Sequence, residues 1–461
     1  MSWREAVLPV RMQRVAVLAP ADSLREVLVR VAGAGVVQFE PGGEAEQRLH
    51  RAGGGEVAPK LAAQRPDLDL LERTGRADLL AGEAELEGHS AIAVRRGSVA
   101  GLAGWCARPD LPGLAEDLAA IGGAVVPLPA PRGVDPPTSL RAGGAVRRSF
   151  SGVVRTYGTV AYPDVDPTLP AGVAYVLMFG MMFGDLGHGL LLVLAGVLLA
   201  FGRPSRLAKW RHVWPFVTGA GATGAVFGLL YGEFFGPTGV VPVLWLAPLA
   251  EPIRLLTSAV AVGAVLLAAA YAVAIVNRWR EGGPQLAVYA SSGIAGAALL
   301  LGIGCVAGGL YLSSGVLAAV GGGVAVVGVL LAGAGYYATT SGGAAGALQS
   351  GVQAFDAVVR VGSNLVSFAR LAAFGLTHAA LGWLVWQGTT ALFGAGPLGV
   401  LAAIGLFAAG NALAFALEAL VAGIQALRLE FYELFSRVFA VEGRPFQPWH
   451  VPVVEFPEEE P

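Results

Sequence analysis

The sequence predicts a mainly α membrane protein with a small N-terminal α/β cytoplasmic head, and three observations lead there. Hydrophobic residues make up 55% of the 461 and charged residues only 14%, with a mean hydropathy of +0.62. Soluble domains carry about 25% charged residues. The charges are also unevenly placed: nearly all precede Tyr162, lie in short loops, or follow Glu430. Between them run apolar stretches at 171–201, 213–235, 253–276, 286–312, 316–338, 352–390 and 397–439, each reaching the roughly 20 residues that a membrane helix needs.

The head is expected over residues 1–150. A strand at 15–18, an amphipathic helix at 23–32 ended by Gly33, and a strand at 36–39 open it. A second set follows, with strands at 91–94, 99–106 and 124–128 and a helix at 114–121. Residues 41–90 between them are polar and Gly-rich, partly helical at best. Pro127, Pro129, Pro131, Pro136 and Pro137 close the head. Residues 1–30 are mixed and charged, unlike a signal peptide, so the head is expected in the cytoplasm. The membrane domain is expected over 151–450, and 451–461 as an acidic cytoplasmic tail.

Loop charges orient the membrane segments. Arg203, Arg206, Lys209 and Arg211 crowd one loop, and Arg278 and Arg280 another, while the 236–252 loop holds no cation. By the positive-inside rule the first two loops are cytoplasmic and the third lies outside. A cytoplasmic head then requires 171–201 to enter and return as a hairpin, with Asp185 near its outer tip. Each arm is only about 22 Å long, which implies a thinned or protein-buried site. The count becomes eight transmembrane segments with both termini inside. The last two stretches would run about 58 and 64 Å as straight helices, against a hydrocarbon core of about 30 Å. They must either project into water or lie steeply tilted, and a slanted helix pair suits the curved wall of a cylinder.

Composition also excludes functions. A net charge of -2 gives no basic surface for nucleic acid. Cys106 and Cys305 sit in different domains with no disulfide or metal-ligand spacing. Lys60 and Lys209 are the two lysines, and the arginine, glycine and alanine excess reads as a GC-rich bacterial coding bias. No P-loop, Ser/His/Asp arrangement or metal-ligand cluster accompanies the membrane charges, so covalent catalysis, nucleotide binding, a metal and a cofactor are not expected.

Ionisable groups at membrane depth are expensive and usually line a water path or pair with one another. Asp356, Arg360, Arg370 and His378 lie in the 352–390 stretch, and Glu418 and Arg428 in the next, with Glu430 and Glu433 as it emerges. Arg370 is open to a simpler reading as an arginine snorkelling to the inner interface, and Asp185 to one as turn chemistry between glycines. His378 taken singly reads as readily as a packing residue. Topology sorts the groups by depth. Asp356 and Asn364 fall on the inner side of Arg370, and His378 on the outer side. Glu418 falls on the outer side of Arg428, and Asp185 and Glu233 add outer carboxylates. Gln425, one turn before Arg428, is placed to hold it by hydrogen bonding. The set suggests two half-channels separated by a fixed positive charge.

Four motifs, in order over about 157–450, resemble V/A-type ATPase subunit a, called subunit I in prokaryotes. They are Val176-Leu177-Met178-Phe179-Gly180-Met181-Met182-Phe183-Gly184-Asp185-Leu186-Gly187-His188-Gly189, Phe227-Gly228-Leu229-Leu230-Tyr231-Gly232-Glu233-Phe234-Phe235-Gly236, Ser367-Phe368-Ala369-Arg370-Leu371 with Gly375-Leu376-Thr377-His378-Ala379, and Glu418 through Arg428-Leu429-Glu430 with Phe446-Gln447-Pro448. Tyr157-Gly158 and Asp166-Pro167-Thr168 fit the approach to the first. The resemblance implies a multi-pass bacterial cell-membrane stator subunit of a rotary ATPase or ATP synthase. Its partners would be the proteolipid ring, peripheral-stalk subunits, membrane lipid and protons, with sodium left open as the coupling ion. Arg370 would meet the ring carboxylate, since an opposite charge nearby favours the ionised form, and Arg428 would assist. Glu418, His378, Glu233 and Asp185 would line the outer half-channel, and Asp356, Ser363 and Asn364 the inner one. ATP chemistry would occur in other subunits, so the chain is not expected to be an enzyme by itself. Two departures stand out. Gln425 replaces a histidine common in the family, which removes titration but not hydrogen bonding, and 41–90 leave no room for the family's long coiled-coil rod. The residues alone also fit a secondary transporter or channel with an intramembrane charged site, which would show inverted repeats; the break at 184–189 has no counterpart in the second half.

Overall fold

The computed structural model describes residues 8–40, 57–131, 133–140, 143–202, 205–394, 396–439 and 442–455. Its contacts divide the chain into two units. One comprises 8–141 with 443–461, and the other 1–7 with 142–442.

In the first unit, β1 (Met12–Pro20), α1 (Leu24–Ala34) and β2 (Val37–Phe39) form from the expected segments. The helix runs past Gly33 and stops at Gly35. That residue takes a left-handed φ of 61° and donates its N–H to Val31 O, a conformation that glycine adopts without a side-chain penalty. After β3 (Leu61–Ala62) and α2 (Leu68–Arg73) comes α3 (Ala77–Ile92), sixteen residues of helix where only partial helix was expected. It ends one residue short of Ala93, so the strand expected at 91–94 shortens to β4 (Val94–Arg96). Then β5 (Val99–Ala107), α4 (Leu111–Ala119) and β6 (Ala124–Pro127) complete the sheet in the antiparallel order β2-β5-β1-β6, with β4 on β5. Two β-α-β passes interleaved this way make a split β-α-β layer. Val15, Val17, Leu28, Val31 and Leu118 are buried between sheet and helices.

The C-terminal segment packs on this layer. Trp449 N donates to Val37 O at 2.8 Å, Val451 N to Ala32 O at 3.2 Å and Leu61 N to Pro452 O at 2.9 Å. β7 (Val453–Val454) pairs with β3 in parallel. The sequence reading counts 443–450 with the membrane domain and 451–461 as an acidic cytoplasmic tail. The segment from Gly443 instead clusters with the head because its apolar residues, Trp449 and Val451, find burial there. Residues 456–461 of that tail lie outside the described residues.

The second unit is helical. α5 (Ala145–Tyr157) leads to α6 (Thr168–Met182) and α7 (Leu186–Ala200). α8 (Trp214–Tyr231), α9 (Pro252–Tyr289), α10 (Ile294–Tyr311) and α11 (Gly315–Ala338) follow. α12 (Gly343–Ser367), α13 (Ala369–Phe393) and α14 (Gly396–Leu429) end in a π-helical turn, Glu430–Phe435, and a short α15 (Ser436–Val438). Among the described residues, six helices are long and apolar enough to cross a membrane by length and composition, α12 and α13 counting as one. α6 and α7 are apolar but fifteen residues each, so length alone does not raise the count from six to the expected eight.

α6 and α7 nevertheless run in opposite directions. Val176 O accepts from Thr223 Oγ1 at 2.7 Å, and Gly184 meets Tyr231, so α6 ascends with α8. Gly196 meets Thr218 and Gly189 meets Ala225, so α7 descends against it. The chain therefore reverses at 183–185.

Candidate functional site

Two interruptions of helical continuity build the site. At the first, between α6 and α7, the Asp185 carboxylate caps α7: Oδ1 accepts from His188 N at 2.8 Å and Oδ2 from Gly236 N at 2.7 Å. A short polar side chain at this position satisfies a backbone donor that the helix leaves free. Gly228 lets α8 approach the tip, since a Cβ there would stand 2.1 Å from Leu186 N. Gly236, at φ +92°, brings the following loop against Gly382 of α13.

The second interruption falls within the 352–390 stretch. The chain breaks at Phe368, which has φ -72° and ψ -11°, so Arg370 stands in the first turn of a new helix. Phe368 is fully buried against Gly263 of α9.

These breaks gather a buried acid–histidine cluster. His378 of α13 contacts Glu418 Oε2 of α14 through Nδ1. Its Nε2 lies 3.8 Å from Glu233 Oε2 and 4.0 Å from Asp185 Oδ2. His188 Nδ1 lies 3.7 Å from Asp185 Oδ1, with Asn411 alongside its ring. Phe183 packs on both histidine rings, with centroids 5.6 Å from His378 and 5.9 Å from His188. Such aromatic walls lower the local dielectric and strengthen every interaction among the charges. Beyond Glu233 lies a cavity of about 160 Å³, lined by Tyr231, Pro237, Val241, Val243 and Pro248 among others. An imidazole with a carboxylate at each nitrogen can take a proton on one side and release it on the other.

Of the residues singled out in the sequence, Asp185, Glu233, His378 and Glu418 are thus brought together. Arg370 is half-buried with Nη1 lacking a hydrogen-bond partner. Arg428 is exposed. The expected bond from Gln425 to Arg428 is absent: Gln425 Oε1 accepts nothing, and an arginine can only donate. Asp356 pairs with Arg360 on an exposed face, and Ser363 is exposed beside them. Asn364, with its amide oxygen turned to Arg437 Nη2 at 2.6 Å, joins a further group.

That group escaped the sequence reading. Glu430 and Glu433, expected to emerge into water, are buried because the π turn changes the phase of the helix. Glu433 lies within electrostatic reach of Ser367, Arg370 and Arg428, and Arg437 stacks over Tyr271 at 5.7 Å. His188 also escaped, although it sits in the Asp185 motif. Asp185, His188 and His378 each bring a donor atom within 4.8 Å of the others, a grouping invisible to spacing because the two histidines lie on different helices.

The profile of the V-type ATPase 116kDa subunit family matches residues 98–214. The chain is 30% identical over 372 residues to an A-type ATP synthase subunit I of Aeropyrum pernix, covering 69% of the chain and 51% of the relative. It is 25% identical over 389 residues to that of Pyrococcus horikoshii, covering 81% and 57%. It is 33% identical over 155 residues to the human V-type proton ATPase 116 kDa subunit a 3, covering 31% and 19%. The chain spans about half the length of the two archaeal relatives.

Proposed function

We propose, from the premise that this chain belongs to the V-type ATPase 116 kDa subunit family, that it is the ion-conducting stator subunit of a rotary ATPase. The observation that carries the reading is the buried Asp185–Glu233–His378–Glu418 cluster, with its cavity at Glu233, in which His378 and Glu418 come from the helix pair that also bears Arg370 and Arg428. In this reading the cavity and cluster form the outer half-channel. Asp356, Ser363 and Asn364 begin the inner one, and Glu430 and Glu433 extend it towards Arg370.

Leu413, Leu417, Leu420 and Ile424 form an exposed apolar stripe on α14 that continues to Arg428. A large exposed apolar face marks a membrane or protein contact. Here it faces the proteolipid ring, whose carboxylate Arg370 holds ionised while blocking direct proton passage between the half-channels. Peripheral-stalk subunits hold the chain against rotation, and hydrolysis or synthesis of ATP belongs to other subunits. Arg428 supports the positive field at the exit of α14.

The test is ATP-driven proton pumping in vesicles bearing the assembled complex with Arg370→Ala. Pumping is expected to vanish while assembly and ATP hydrolysis persist. Unchanged pumping would mean that the chain is a scaffold or carries something else.

A further inference from the structure

We infer that Asp185, His188 and His378, with Glu233 as fourth donor, form a binding site for a divalent transition-metal cation of the Zn²⁺ class. The coordination claim stands on the cluster's geometry alone. Its functional consequence, closure of the outer path, rests on the half-channel reading above.

The donors lie within reach of a small tetrahedral ion. Zn–N and Zn–O bonds of about 2.0–2.1 Å put neighbouring ligand atoms roughly 3.4 Å apart around a tetrahedron. Here His188 Nδ1 to Asp185 Oδ1 is 3.7 Å, His378 Nε2 to Glu233 Oε2 is 3.8 Å, and His378 Nε2 to Asp185 Oδ2 is 4.0 Å. Asp185, His188 and His378 each offer a ligand atom within 4.8 Å of the others, so closing a shell draws these three inward by about 1 Å and swings Glu233 in from its place beside His378. His378 is also oriented as a metal ligand: Glu418 takes Nδ1, leaving Nε2 facing the other donors. A carboxylate on the distal nitrogen is the usual second partner of a metal-binding histidine.

A separate observation points to a missing partner. His188 is 2% exposed, and although Asn411 lies alongside its ring, neither ring nitrogen completes a hydrogen bond of ordinary geometry; Glu233 Oε2 is likewise unpartnered. Burying a polar group without a partner is costly, and a metal would take one nitrogen of His188 and Glu233 Oε2 at once. Chemistry selects the class. Hard Ca²⁺ and Mg²⁺ prefer shells of oxygen, whereas imidazoles suit zinc and its neighbours. Two carboxylates balance the charge of a divalent ion, and the cavity beyond Glu233 gives an approach. A bound ion would occupy His378, Asp185 and Glu233 together and so stop proton passage from the cavity side.

The experiment uses the full chain, purified without a histidine tag and loaded with one equivalent of Zn²⁺, read by X-ray absorption at the zinc edge. A four-coordinate shell containing two imidazoles is expected. His188→Gln should remove one imidazole and weaken Zn²⁺ binding at least tenfold, while His212→Gln, at an exposed position, should change neither. A wild-type shell with one imidazole or none overturns the site, and so does an unchanged shell in His188→Gln or a changed one in His212→Gln. The wild-type spectrum decides even if the variant does not fold. Coordination is measured without turnover, so its failure leaves the Arg370→Ala result untouched. Pumping that survives in Arg370→Ala would remove the channel reading while leaving the site in place.

Discussion

The ring of Phe368 fills the space that a side chain on Gly263 would need: a Cβ at position 263 would stand 2.2 Å from Phe368 Cγ. That contact holds the break between α12 and α13, and the break puts Arg370 in a first helical turn. Gly263→Ala therefore must push Phe368 aside. Overpacking of this kind costs about 1–3 kcal/mol, and a displacement of about 1 Å at a reacting group can cost on the order of 10²-fold in rate. Proton pumping is expected to fall at least tenfold in assembled complexes. Gly333→Ala on α11, where the nearest atom lies 3.9 Å away, should pump normally. Equal pumping by the two variants would detach the break from function.

His378 and Glu418 act as one unit across α13 and α14, since Nδ1 of the first contacts the carboxylate of the second. Their losses should not add. Glu418→Gln and His378→Gln are each expected to reduce proton flux strongly, and the double variant hardly further. The coupling in a double-mutant cycle should be about 0.5–3 kcal/mol, the range for contacting polar pairs. Additive losses would show that the two residues serve separate steps.

Individual charges were legible in the sequence because an ionisable side chain in an apolar run is conspicuous. Asp185, Glu233, His378 and Glu418 all stood out that way. Their convergence was not legible, for it depends on antiparallel packing of α13 and α14 and on Gly236 meeting Gly382. Glu430 and Glu433 misled the reading because a π turn shifts helix phase without leaving a periodic signal. In the head, α3 was obscured by Gly82. That glycine reads as a loop residue, but it sits where a Cβ would lie 2.0 Å from Lys60 O, so it serves close packing of helix on strand.

Asp185 combines two structural bonds with its place in the cluster, and the two oxygens are used separately. Asp185→Ala loses the α7 cap, worth about 0.5–2 kcal/mol, and strands the buried Gly236 N–H, worth about 1–3 kcal/mol. Asp185→Asn keeps one acceptor oxygen and should lose about half as much. Thermal unfolding of the purified chain should rank wild type above Asn and Asn above Ala. Equal midpoints for wild type and Asn would mean that only one of the two bonds matters, and equal midpoints for Asn and Ala that the remaining acceptor replaces neither.

The head offers a pH dependence set by one buried imidazole. His89 of α3 stacks on Trp449, centroid to centroid 4.3 Å, while Trp449 Nε1 donates to Glu85 Oε2 at 3.2 Å. Burial pushes the His89 pKa down from 6.5 to about 4. The unfolded chain therefore binds a proton more readily than the folded head between about pH 6.5 and 4, and stability falls as pH drops through that window. The full shift corresponds to about 3 kcal/mol, lost by pH 4 and fully present above pH 7. His89→Phe keeps an aromatic ring against Trp449 and removes the titration. Hydrogen-exchange protection of β1 and β5 in the full chain, corrected for intrinsic exchange rates, should decline between pH 7 and 4 in the wild type. The decline should be smaller by about that amount in His89→Phe. Parallel declines in the two proteins would assign the acid sensitivity to other groups. Trp449→Ala, which empties the stack, should lower protection at every pH, by less than the roughly 3–5 kcal/mol of a fully buried tryptophan because Trp449 is half-buried, since it detaches the C-terminal segment from the edge of β2.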